Sequence, residues 1–212
     1  MAKTFAPIVL EQGRCRRELK AFAQLLATPE LSEQKDILPF FKQRTQLSAF
    51  IGMIDPRIGT IPELAFEYSF LGDFTADLVI GNRAKGHFLA VEFEDGRNNS
   101  IFTKRPNKST TEWSRRFDHG FSQLVDWFCI LDDFKKTDRF KRDFGDGHIT
   151  FSGLLVVGRS AGLSPADRIR LNWRASKVVV DSRPINCVTF DDLHEDLANR
   201  LRIYPHATHF EK

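Results

Sequence analysis

Residues 64–70 (LAFEYSF) set Leu64, Phe66, Tyr68 and Phe70 against Ala65, Glu67 and Ser69. A period of two belongs to an extended strand, whose successive side chains point to opposite faces. Two more β-like runs follow at once, 74–80 (FTADLVI) and 87–94 (HFLAVEFE), joined by the turn sequence GNRAKG at 81–86. Three short strands with tight connections predict an antiparallel meander. Helical spacing brackets it. Leu19, Phe22, Ala23, Leu25 and Leu26 recur within a helical stretch at 11–50, and Ser32 is placed to cap a second helix from Glu33 whose apolar side is Ile37, Leu38, Phe40 and Phe41. Residues 113–131 align Phe117, Phe121, Leu124, Phe128 and Leu131 on one helical side.

The C-terminal third continues the alternation. The uninterrupted apolar part of ITFSGLLVVGRS suits a strand buried on both faces. Ser164, Pro165 and Asp167 make a strong helix start, because the hydroxyl can cap, proline is pre-set for the first helical position and the acid completes a capping box. KVVVDS and INCVTF read as short strands, and DDLHEDLANRL as a closing helix with Leu193, Leu197 and Leu201 in register. The pattern predicts one α/β domain. Two polar, basic stretches, 95–111 and 134–148, read as exposed loops.

The strand-like run 87–94 carries the chemistry. Leu89, Val91 and Phe93 share one face, so Ala90, Glu92 and Glu94 share the other. Asp77 is likewise a lone acid in apolar company, and a hairpin between 74–80 and 87–94 sets it beside Glu92. Burying an unpaired carboxylate is costly, and converging carboxylates raise one another's pKa unless a cation neutralises them. Mg²⁺ or Mn²⁺ suits such a set of hard oxygens, and a cation of this kind activates water and polarises a phosphate. The competing reading is that Glu94-Asp95-Gly96 is simply a solvated run into a turn.

Other patterns narrow the classes. No apolar run approaches the ~20 residues that span a bilayer, and the N-terminus lacks a basic segment followed by an apolar one, so the expectation is a cytoplasmic protein without a secretory signal. Cys15, Cys129 and Cys187 are scattered and odd in number, which fits reduced thiols. A net charge of +3 is too small to imply nucleic-acid binding, so local clusters must carry that argument. His206 and His209 in the tail make only a weak metal pattern, and His119 and His148 stand isolated.

Asp77, a hairpin and then Glu92-Phe93-Glu94 resemble the core of the PD-(D/E)xK nuclease superfamily, and Gln123-Leu-Val-Asp-Trp127 resembles the Q-x-x-x-Y/W motif that follows it in several branches. A closer resemblance runs from about Glu33 to Leu201. The segments ILPFFKQRTQLSAFIG, DFTADLVIG, FLAVEFEDG, HGFSQLVDWF, GLLVVGRS, RIRLNWR and VTFDDL resemble, in order and spacing, the C-terminal nuclease domain of the Shedu anti-phage defence proteins. The resemblance implies a restriction-endonuclease-like central mixed sheet flanked by helices, a metal-dependent DNA endonuclease and an assembly that is often oligomeric. It divides the chain into a short helical segment at 1–32, the nuclease domain at 33–204 and a tail at 205–212.

The residues it implies are Asp77, Glu92 and Glu94 on the metal, with Gln123 supporting the site. Position 94 departs from the motif, which usually has lysine there. A second carboxylate can bind metal or help orient the water; Lys104 or Lys108 can supply the missing cation; or catalysis is gone and a non-catalytic nucleic-acid-binding or sensing module remains. Glu33 and Glu67 are further candidate carboxylates. Lys104, Arg105, Lys108, Arg115 and Arg116, opposed by a single Glu112, form the segment expected to contact DNA phosphates; Lys135, Lys136, Arg139, Lys141 and Arg142 form a second basic segment.

Overall fold

The computed structural model describes residues 4–59 and 62–203, so the expected tail at 205–212 with His206 and His209 lies outside the described residues. In chain order the elements are β1 (Ala6–Pro7), α1 (Gln12–Leu26), a π-helical turn (Glu33–Ile37), α2 (Leu38–Gln43), α3 (Thr45–Ile51), β2 (Glu63–Ser69), β3 (Thr75–Asn82) and β4 (His87–Phe93). Then come β5 (Phe102–Thr103), β6 (Glu112–Trp113), α4 (Arg115–Phe134), α5 (Asp138–Phe144), β7 (Thr150–Val156), α6 (Pro165–Lys177), β8 (Val179–Val180), β9 (Arg183–Val188) and α7 (Phe190–Ile203).

The sheet is mixed and flanked by helices, the α/β arrangement expected of a restriction-endonuclease-like fold. Its order is β1-β2-β3-β4-β7-β9-β8. β2, β3 and β4 form the antiparallel meander, with Leu78 opposite Val91 and Ile80 opposite Leu89. β4 then pairs in parallel with β7, from His87↔Thr150 to Phe93↔Val156, and β7 with β9. Parallel neighbours need a long crossover, which α4 and α5 supply in the first case and α6 in the second.

Each face of the sheet has its own core. Leu78, Ile80, Leu89, Val91 and Phe93 meet α1, α2, α3 and α7 through side chains such as Phe22, Phe41, Leu47 and Leu197. Ala76, Val79, Phe88, Ala90 and Leu155 meet α4, α5 and α6 through Phe117, Leu124, Phe128, Phe140 and Leu171. Much of the unusual phenylalanine content lies in this second layer. Phe88 and Phe144 meet edge-on at 4.8 Å, and Phe151 packs 5.1 Å from Phe144. Edge-to-face pairing suits the ring quadrupole and gives rigid packing.

Three local expectations change. Ser32 precedes a π-helical turn and its side chain makes no cap; instead its backbone N–H donates to Asp36 Oδ2 at 2.8 Å. The 95–111 stretch contains β5, which pairs with β6 as a small hairpin. The second basic stretch is largely α5: Thr137 caps it by accepting from the Phe140 N–H at 3.1 Å, and Phe140 and Phe144 bury one face. Three cations among its two phenylalanines hid that helical period. The Ser164 cap forms as expected, accepting from the Asp167 N–H at 3.2 Å.

Candidate functional site

β4 is the strand on which the acids depend. Continuing the β3–β4 register by one pair beyond Leu78↔Val91 sets Asp77 opposite Glu92, on the face that carries Ala90 and looks toward α4. Asp77 Oδ2 accepts from the Phe93 N–H at 2.9 Å, which locks its carboxylate at the end of β4. Glu92 is 5% exposed and its Oε2 has no hydrogen-bond partner. Glu94 lies just past the strand, where its N–H donates to Val156 O at 3.0 Å and continues the parallel ladder. Its side chain is fully buried under α4. Gly120 makes that possible: a Cβ there would stand 2.9 Å from Glu94 Cγ and 2.7 Å from Leu155 Cδ1.

Further charges close round this centre. Leu31 and Gly96 bridge their backbones, and the Glu33 N–H donates to Asp95 Oδ1 at 2.9 Å, which anchors Glu33 beside the strand end. Arg116, in the first turn of α4, reaches three acids: Glu94 Oε2 at 3.2 Å, Glu33 Oε2 at 3.5 Å and Asp95 Oδ2 at 3.4 Å. His119 Nδ1 lies 2.8 Å from Glu94 Oε1, so both Glu94 oxygens are engaged. Glu67, on β2 beside β3, adopts φ +47°, and the ladder skips it between Phe66↔Leu78 and Tyr68↔Ala76. A non-glycine residue in the left-handed region is strained. Glu67 also pairs with Lys42 at 2.8 Å.

The electrostatics follow from burial and crowding. Burial foremost, then repulsion from Glu33, Glu94 and Glu67, pushes the Asp77 carboxyl up from 3.8 to about 7, against the opposing Phe93 N–H. Burial first, then Asp77, Glu94 and Glu33, holds Glu92 well above the usual glutamate range. Glu33 is raised by burial and then by Glu94. These acids favour either protons or a cation. Their donors are hard carboxylate oxygens, the chemistry of Mg²⁺ or Mn²⁺ rather than of a soft metal. The orphaned, buried Glu92 Oε2 is where that fit is clearest, and Gln123 on α4 likewise has a buried Oε1 without a partner. Among the described residues, no group of three or more His, Cys, Asp or Glu side chains stands arranged to hold a metal ion, and both Glu94 oxygens are engaged by Arg116 and His119.

The fold thus brings Asp77, Glu92 and Glu94 to one sheet end, with Glu33 and Glu67 close enough to raise Asp77. The cation that reaches the acids is neither lysine candidate. Lys104 is exposed, and Lys108 bonds Glu112 instead, as does Arg105 at 2.5 Å. Arg115 is exposed beside Arg116. The second basic segment forms α5, which leads into the start of β7, whereas the acids stand where β4 ends. Its Arg139 is tied to the chain just past β2, donating to Phe70 O at 3.2 Å, and pairs with Asp143 at 3.5 Å rather than with the acids. Sequence reasoning missed Asp95 and His119. The signal was available, since Arg116, His119, Gly120 and Gln123 fall at i, i+3, i+4 and i+7 on an otherwise apolar helix.

Cys15, Cys129 and Cys187 are unpaired, and no described helix is long and apolar enough to cross a membrane. No curated protein matches the chain. Residues 30–194, more than half of the chain, match the family model described as Shedu protein SduA, C-terminal.

Proposed function

This chain belongs to the Shedu SduA C-terminal family, and from that premise we propose that it is a metal-dependent DNA endonuclease of the PD-(D/E)xK type acting in the cytoplasm in anti-phage defence. The observation that carries the reading is Glu92: a buried carboxylate with an orphaned oxygen, set opposite Asp77 one position beyond the last β3–β4 pair. Leaving such a group unpaired costs several kcal/mol unless a proton or a cation relieves it.

Asp77 and Glu92 hold the Mg²⁺ or Mn²⁺ in this reading. When bound, the ion supplies a more acidic water and a polarised phosphate. The protein's own groups do the rest. The Phe93 N–H fixes the Asp77 carboxylate, Glu94 completes the acidic set or orients the attacking water, and Gln123 offers a buried amide oxygen for a donor at the site. Lys104, Arg105, Lys108 and Arg115 face solvent and position the DNA backbone through its phosphates, without reading bases.

The test incubates the protein with plasmid and linear DNA in Mg²⁺ or in EDTA. Cutting is expected only with metal and is lost in Glu92→Gln, which keeps the shape but not the charge. Metal-dependent cutting that persists in that variant removes the assignment.

One observation favours a second reading. Arg116 and His119 already occupy Glu94, where the motif usually has lysine. A non-catalytic nucleic-acid-binding or sensing module would keep the basic flank and this neutralised acid. It predicts DNA binding with neither cutting nor a metal-induced rise in melting midpoint.

A further inference from the structure

The acids and their one guanidinium differ sharply in exposure. The side chains of Glu33, Glu94 and Asp95 are 14%, 1% and 9% exposed, whereas that of Arg116 is 51% exposed. Arg116 therefore covers these acids on their solvent side, beside the His119 ring, which is 64% exposed and holds the other Glu94 oxygen. Its contacts with those acids use Nε and Nη1. Arginine has five N–H donors in a fixed fork, so the two on Nη2 take no part in these tethers. Held on three sides, the head group has already lost most of the freedom that an exposed arginine gives up on binding phosphate.

The charge balance demands such a group. Asp77, Glu92, Glu94, Glu33 and Asp95 repel a phosphodiester, and residue 94, being an acid, offers no compensating cation. Among the cations of the flanking segment, Arg116 pairs with the acids, whereas Arg105 and Lys108 are tied to Glu112.

We propose that Arg116 is a catalytic residue: its tethered guanidinium holds Glu94 and presents its free N–H groups to the scissile phosphate, where negative charge builds as a water oxygen bonds to phosphorus and the bond to the leaving oxygen breaks. This rests on the nuclease reading and assigns Arg116 a part distinct from the backbone contacts of its neighbours.

The experiment compares wild type with Arg116→Ala, Arg116→Gln and Glu92→Gln. Three quantities are read: the single-turnover cutting rate at saturating duplex with Mg²⁺, duplex affinity in EDTA by fluorescence anisotropy, and the Mg²⁺-induced shift in melting midpoint. In Arg116→Ala the cutting rate should fall by about 100-fold or more, the cost of removing one preorganised donor from a developing charge. Affinity should fall no more than about tenfold, the share of one charged contact. The Mg²⁺ shift should persist, and millimolar guanidinium should restore part of the rate. Arg116→Gln keeps amide donors for Glu94 without the charge, and gives the same readings should the alanine variant fail to fold. A cutting rate at saturation close to wild type in Arg116→Gln, with Glu92→Gln inactive, overturns this inference and leaves the nuclease reading standing. A loss confined to affinity overturns it equally, by making Arg116 another backbone contact. Absence of cutting by wild type overturns both.

Discussion

Raising the pH from 5 to 8 in EDTA should destabilise this protein, because its acids hold protons in the native state that the unfolded chain releases. Asp77 is lifted from 3.8 to about 7. A carboxyl whose folded pKa is raised contributes stability that is complete below the unfolded value and vanishes as the pH climbs through the folded one. Across pH 5 to 8 the linkage relation gives a loss of about 2–3 kcal/mol for Asp77 alone. For a chain of this length that lowers the melting midpoint by about 5–10 °C. Glu92 and Glu33 are raised too, so they add in the same direction. Asp55, Asp167 and Asp191 are lowered, and their contributions fail only at more acid pH, below the window. The assay is circular dichroism melting at half-unit pH steps. The control is Asp77→Asn combined with Glu92→Gln, since the amide oxygen introduced on β3 still offers the Phe93 N–H an acceptor while both charges are gone; its midpoint should change far less. Mg²⁺ at ~100 times its dissociation constant should recover ~2.7 kcal/mol at pH 8. A wild-type midpoint that holds or rises from pH 5 to 8 in EDTA, or a double variant that falls just as steeply, refutes the claim that these acids are crowded and buried.

Gly120→Ala should displace Glu94, because the new methyl would stand 2.9 Å from its Cγ and 2.7 Å from Leu155 Cδ1. A cost of about 1–3 kcal/mol is expected from overpacking, despite alanine's better helix propensity, and chemical denaturation measures it. Replacing Lys104 or Arg115 by alanine should weaken DNA binding alike on unrelated sequences and flatten the plot of log affinity against log salt by about one phosphate contact each. Anisotropy titrations across a salt series read that slope.

Much of this architecture is written locally. Leu89, Val91 and Phe93 alternate because a strand between two layers needs a period of two, and Phe117, Phe121, Leu124 and Phe128 recur because a helix on that sheet needs one near 3.6; the alternation read at 64–70 holds only through Phe66, since Tyr68 and Phe70 turn to the other layer where Glu67 adopts φ +47°. The shared face of Glu92 and Glu94 follows from parity alone, and the hairpin that delivers Asp77 follows from a short turn between two strands. The α5 helix was hidden because its burial rests on Phe140 and Phe144 alone, among cations that carry no period.

What Arg116 and His119 touch was not legible, since a side chain's partners depend on how α4 settles against the end of β4, and that angle is set by Gly120, Leu155 and the aromatic layer together. The same holds for Glu33, held by a bridge between Leu31 and Gly96 that joins segments far apart in the chain. Residue order determined the acids, their strand and the face they share, because those are properties of backbone periodicity. Which acid is neutralised, and which keeps an oxygen without a partner, was decided only when distant segments packed, because pairing is a matter of distance in space and burial a property of the whole fold.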